Sequence, residues 1–230
     1  MKIAEFHVPL LSLASALILV FSNSAHASVI TETGDAGKLT TTAQTTSGSA
    51  AIDAIRGSLL TSSDDDYADI FRIYLKAGSL FSATTTASAF AFNNFDTSLF
   101  LFNSGGLGVV ANDDDPSVGP TSTIRYTSAS SDYYYLAIAG AGYTPVSASG
   151  AIFGNLLGQD QVGPSGMGGA AALSNWVSVT SEGDAYEIQL SGAFAGPQAA
   201  DVPEPASLAL AALGLCALRA SRRRAARRAA

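Results

Sequence analysis

Asp69-Ile70-Phe71-Arg72-Ile73-Tyr74-Leu75 is the run on which the fold class turns. In an extended chain Phe71, Ile73 and Leu75 point to one side and Ile70, Arg72 and Tyr74 to the other, a period of two that suits a strand and not a helix. Downstream, Ala77-Gly78 turns the chain into residues 79–86, rich in β-branched Thr. Residues 96–102 set Leu99 and Leu101 against Phe100 and Phe102, so both faces are apolar and the strand is expected to be covered on both sides. After a turn at Asn103–Gly106, Val109-Val110 opens a short strand ending at Asn112. Residues 122–128 follow, and then the strongly alternating Tyr134, Leu136 and Ile138. Upstream, residues 52–60 read as a strand, and Tyr186, Ile188 and Leu190 as the closing one. No segment between the two chain ends sustains a 3.6-residue period. Short strands separated by Gly and Asp turns predict an all-β sandwich or barrel, with Phe71, Ile73, Leu99, Leu101, Tyr134, Leu136 and Ile138 on one interior. Ser82 and Thr123 read as tolerant positions. Residues 28–51 read as a Ser/Thr/Gly-rich leader or edge strand, and residues 139–182 as a Gly-rich excursion holding the lone Trp176.

Both chain ends carry addresses. Lys2 followed by an apolar run over residues 8–21 and by Ala25-His26-Ala27 has the form of a secretory signal peptide, cleaved after Ala27 by signal peptidase once the Sec translocon has engaged it. At the other end stand Val202-Pro203-Glu204-Pro205, thirteen uncharged residues (206–218) and six arginines. The prolines hold an extended linker. The arginines favour the cytoplasmic side. Thirteen helical residues rise only about 20 Å against a hydrocarbon core of roughly 30 Å, a marginal anchor even when Arg side chains snorkel.

The stretch between the ends, residues 28–200, holds five Lys and Arg against sixteen Asp and Glu, a net charge of −11. Such a surface repels nucleic acid and anionic lipid. His7 and His26 lie in the leader peptide and Cys216 in the apolar tail, so residues 28–200 contain neither residue type. That excludes Ser-His-Asp and Cys-His catalysis, His- or Cys-ligated zinc and disulfides there. A hydrolase using an Asp pair stays formally open.

Two resemblances extend this reading. Pro-Glu-Pro, the short span and the basic tail resemble the PEP-CTERM sorting signal of exopolysaccharide-producing Gram-negative bacteria, which implies recognition by an exosortase and removal of the tail. The ordered set Asp69-x-Phe71-x-Ile73-x-Leu75-x-Ala77-Gly78, Phe95-Asp96-Thr97-x-Leu99-x-Leu101-Phe102, Asn112-Asp113-Asp114 and Tyr134-Tyr135-Leu136-Ala137-Ile138 resembles the bacterial pre-peptidase C-terminal domain, which implies a jelly-roll-type β-sandwich over residues 52–200. A short signal helix and a short transmembrane helix would flank it, the latter within residues 201–230.

In that domain family acidic loops bind calcium, and the residues here give an independent case. Calcium takes six to eight oxygen ligands. Asp64, Asp65, Asp66 and Asp69 form one acidic group, and Asn112, Asp113, Asp114 and Asp115 another with Asp96 as neighbour; the EF-hand spacing is absent. The competing reading is that these are solvated Asx turns. Tyr133, Tyr134 and Tyr135, and Trp176, read first as core and cover and second as platforms for sugar rings. The chain is thus expected to be an exported, non-enzymatic surface or matrix protein associated with exopolysaccharide, or alternatively a calcium-dependent module that binds carbohydrate or protein.

Overall fold

The anticipated strands are all present, most with ends moved by no more than two residues. The computed structural model describes residues 28–59, 66–85, 95–115, 119–157, 160–178 and 183–198. The signal peptide with Ala25 and Ala27, the sorting residues Val202, Pro203, Glu204 and Pro205, and the two acids Asp64 and Asp65 lie outside the described residues. The strands are β1 (Ser28–Thr31), β2 (Gln44–Thr45), β3 (Ala51–Ser58), β4 (Ala68–Leu75), β5 (Leu80–Thr85), β6 (Thr97–Asn103), β7 (Gly108–Asn112), β8 (Thr123–Thr127), β9 (Asp132–Gly140), β10 (Tyr143–Ser147), β11 (Gly150–Ala151), β12 (Asn175–Ser178) and β13 (Ala185–Phe194).

They form two packed layers. One runs β1-β3-β13-β5-β8 and the other β4-β9-β6-β7, with β2 laid parallel on β4. The closing strand joins them. β13 pairs with β3 and β5 through its first half, shifts register between Gln189 and Ala193, and then sets Ala193 and Phe194 opposite Leu75 and Tyr74 of β4. Gly192 makes the bend possible: its φ is +73°, and a Cβ there would lie 2.2 Å from the Leu80 carbonyl oxygen.

Between the layers the alternating residues meet as their period requires. Ile52, Ile55, Phe81, Ile124 and Ile188 from one sheet face Phe71, Ile73, Leu99, Leu101, Tyr134, Leu136 and Ile138 from the other, all at most 6% exposed. The opposite face of the second sheet is also buried, as the doubly apolar β6 predicts. Ile70, Phe100, Phe102, Ala137 and Ala139 are covered by Tyr143, Ile152, Phe153, Leu173 and Trp176.

That cover corrects the reading of residues 139–182 as an excursion. It is built around a second sheet, β11-β10-β12, and supplies a third layer. Trp176 is its plug: the indole meets Phe100 edge-on at 5.2 Å between centroids and its N–H donates to the Lys38 carbonyl at 2.7 Å. Residues 28–51 contribute two real strands, and β1 pairs parallel with β3. Thr123 is a second correction. It is 3% exposed, and its N–H donates to Asn112 Oδ1 at 2.7 Å, so the position is not tolerant.

Candidate metal centre

Asp69 occupies the core edge of β4 and is fully buried. Its Oδ2 accepts a 2.6 Å hydrogen bond from the Tyr186 hydroxyl on β13, while its Oδ1 has no partner. Leaving one buried acceptor unmade costs about 1–3 kcal/mol, more if it is charged. Two acids from the leader converge on it. Glu32, just after β1, and Asp35 bring one carboxylate oxygen each to within 4.8 Å of one another and of Asp69.

Local structure explains why the leader turns here. Gly34 and Gly37 take φ of +72° and +74°, and Asp35 Oδ1 accepts from Gly37 N–H at 2.6 Å, an Asx turn. Gly37 carbonyl then accepts from Ile70 N–H, and Ala36 carbonyl from Gln44 N–H, which fixes the loop against β4. Glu32 is held by Ser58 N–H on one oxygen (2.8 Å) and Ala36 N–H on the other (3.2 Å). Gly57 on β3 keeps the cradle open: a Cβ there would come within 2.5 Å of both the Tyr186 hydroxyl and Glu32 Oε2.

The electrostatics are those of crowded carboxylates. Burial, chiefly, pushes the Asp69 carboxyl up to about 8; the Tyr186 hydrogen bond opposes this, and the charges of Glu32, Asp66 and Asp35 add to it. Glu32 is raised too, by burial first and then by Asp66 and Asp35, against its two backbone hydrogen bonds. Tyr186 is raised well above its ordinary value by burial and by Asp69. The donor set is hard oxygen only, the chemistry of calcium rather than of zinc or copper.

Of the residues expected from sequence, Asp69 is at the centre of this group and Asp66 acts on it through charge. Glu32, Asp35, Gly57 and Tyr186 were not foreseen; the signal available was Glu32-Thr-Gly-Asp35, two acids around a glycine in a leader whose one other charge is Lys38. The second acidic loop is organised differently. Asn112 Oδ1 accepts from Thr123 N–H, and its amide donates to the Asp114 and Asp160 carbonyls. Asp113 Oδ1 accepts from the Ser98 hydroxyl, and burial raises the Asp113 carboxyl against that bond, with Asp114 adding to the rise. Among the described residues, Asp96, Asp113, Asp114 and Asp115 do not gather as the three around Asp69 do.

An all-β sandwich with an acidic centre between leader, β4 and β13 is the class of protein these observations define. Residues 201–224 match the PEP-CTERM protein-sorting motif, so the chain carries an exosortase signal with its membrane anchor and is an exported protein. No curated protein matches it. Seven solved chains do, among them the pre-peptidase C-terminal domain of collagenase from Bacillus anthracis, to which this chain is similar at 8% identity, covering 74% of this chain and 100% of that one with a TM-score of 0.35. The sheets and their registers, not that likeness, define the architecture.

Proposed function

We propose that this is a non-enzymatic, calcium-stabilised β-sandwich of the cell surface or extracellular matrix of a Gram-negative bacterium, associated with exopolysaccharide. On this reading the Sec translocon exports it, signal peptidase cuts after Ala27, the apolar tail holds it in the membrane for a time, and an exosortase releases it at Val202–Pro205. The observation that carries the calcium part is Asp69: a buried carboxylate with one orphaned oxygen, beside two further acids. Glu32, Asp35 and Asp69 would hold the ion with Asp66 close by, and a divalent charge there offsets their mutual repulsion. Because Glu32 and Asp35 belong to the leader while Asp69 belongs to β4, ion binding would tie the leader to the sandwich. Support for a non-enzymatic role comes from the missing His and Cys in residues 28–200.

A calcium concentration near 100 times the dissociation constant adds about 2.7 kcal/mol, which for a domain of this size raises the melting temperature by roughly 5–10 °C. The test is thermal melting of the exported protein in excess calcium and in chelator, alongside a glycan array under both conditions. Coincident melts would remove calcium from the reading. Calcium-dependent capture of one defined glycan would favour the alternative, a calcium-dependent binding module, over a general matrix component.

A further inference from the structure

The third layer leaves a cleft of about 510 Å³ where it meets the second sheet, walled by Tyr143, Pro145, Phe153 and Leu156 and floored by Ser98 and Asp113. Among the described residues Asp113 is the one charged residue lining it, and it is 5% exposed. Its Oδ1 takes the Ser98 hydroxyl, whereas Oδ2 has no hydrogen-bond partner among the described residues. A carboxylate oxygen without a protein partner at the base of a cleft accepts strongly from a charged donor and disfavours an anion.

The mouth is apolar. Leu157 lines it at 66% exposure, and Met167, next in the chain to the lining Gly166, is 90% exposed. Exposed side chains of this size lose unfavourable contact with water when an apolar body lies against them. Gly166 cannot be enlarged here: a Cβ on it would approach the Ala151 carbonyl oxygen to 2.2 Å and that of Phe153 to 2.7 Å. At Gly166 the wall is therefore set by backbone packing.

We infer that this cleft binds a small organic cation, its ammonium group donating to Asp113 Oδ2 and its apolar body lying between Tyr143, Phe153 and Leu157. The site is distinct from the acidic centre at Asp69 and does not depend on calcium there. No other charge among the described lining residues competes for the ammonium, and the net charge of −11 over residues 28–200 draws cations towards the protein.

The probe is hexylammonium, compared with 1-hexanol and hexanoate, followed by amide chemical shifts of the exported protein in saturating calcium. Saturable shifts are expected at Gly142, Gly154, Asn155 and Gly166 with hexylammonium. Binding of hexanol should be about tenfold weaker, the loss expected for a charge-assisted hydrogen bond, and hexanoate should not bind. Asp113→Asn should weaken hexylammonium about tenfold, and Leu157→Gln, at an exposed position that leaves the fold intact, severalfold. Should Asp113→Asn fail to fold, the three-probe series and Leu157→Gln decide alone. Equal binding of hexanol and hexylammonium, shifts centred on Glu32 and Asp35, no shifts at roughly 10 mM probe, or a Leu157→Gln protein that binds unchanged would each overturn the assignment.

Discussion

Asp69 was legible as an acid near other acids, but its significance was not. In sequence it opens a strand; only the register opposite Ile138 buries it, and that burial, with the charges of Glu32, Asp66 and Asp35, raises its carboxyl to about 8 against the hydrogen bond from Tyr186, 117 residues away. The sign of its pH dependence follows. A carboxyl raised in the folded state holds its proton better than in the unfolded chain, so the stability Asp69 contributes to the calcium-free protein is fully present below the unfolded value of about 4 and is lost as pH climbs through about 8. The raised carboxyls of Glu32 and Asp113 act in the same direction. Calcium takes the ionised form, so its affinity should rise with pH over the same window. Melts in chelator are expected to fall from about pH 5 to about pH 8, and Asp69→Asn to flatten most of that fall while abolishing the calcium effect. A chelated wild-type protein whose melting temperature stays level or rises over that window would contradict the buried, proton-holding carboxylate.

At the scale of elements, period two was enough to place β4, β6 and β9, whose residues alternate between the interior shared with the first sheet and the face under the third layer. What alternation does not encode is the cover on a second face. Half of residues 139–182 are Gly, Ala or Ser, and their few large aromatic side chains fall at no fixed period because each meets a particular partner: Phe153 and Trp176 lie against Phe100, and Tyr143 stacks on Tyr67. Thr123 misled for a related reason: a small polar residue reads as surface, yet its backbone closes a buried bond to Asn112. The register itself is testable. Leu136 on β9 is fully buried among Phe71, Leu101 and their neighbours, so Leu136→Asp places an unpaired carboxylate between two sheets, at a cost of several kcal/mol out of a total of roughly 5–15. Ser82 on β5 lines an open surface groove, and Ser82→Asp should cost under about 1 kcal/mol. Circular dichroism and denaturant unfolding separate the two. Equal stability of the two variants would mean that Leu136 does not face the interior.

For the whole molecule, the strands were readable but their assembly was not. Nothing local to β13 says that it leaves one sheet for the other, and nothing in residues 28–35 says that they meet β4. The ends are different, because an address must be read by an export or processing enzyme from the chain itself. The described fold finishes where the sorting tag begins: Ala195 N–H bonds the Ala50 carbonyl, and Gln198 donates to Ser49 and Gly196. The motif match starts at residue 201. Cutting near Pro-Glu-Pro therefore severs none of these bonds, and the sandwich should melt at the same temperature with or without the tail. As a helix, the thirteen uncharged residues 206–218 would rise only about 20 Å against a core of roughly 30 Å, which favours a transient anchor over a permanent one. The intact mass of the protein from native culture is expected to begin at Ser28 and to end near Val202–Pro205, without Arg222, Arg223, Arg224, Arg227 and Arg228. Recovery of the arginine-bearing form alone would show that the tail is retained and that release by an exosortase does not occur.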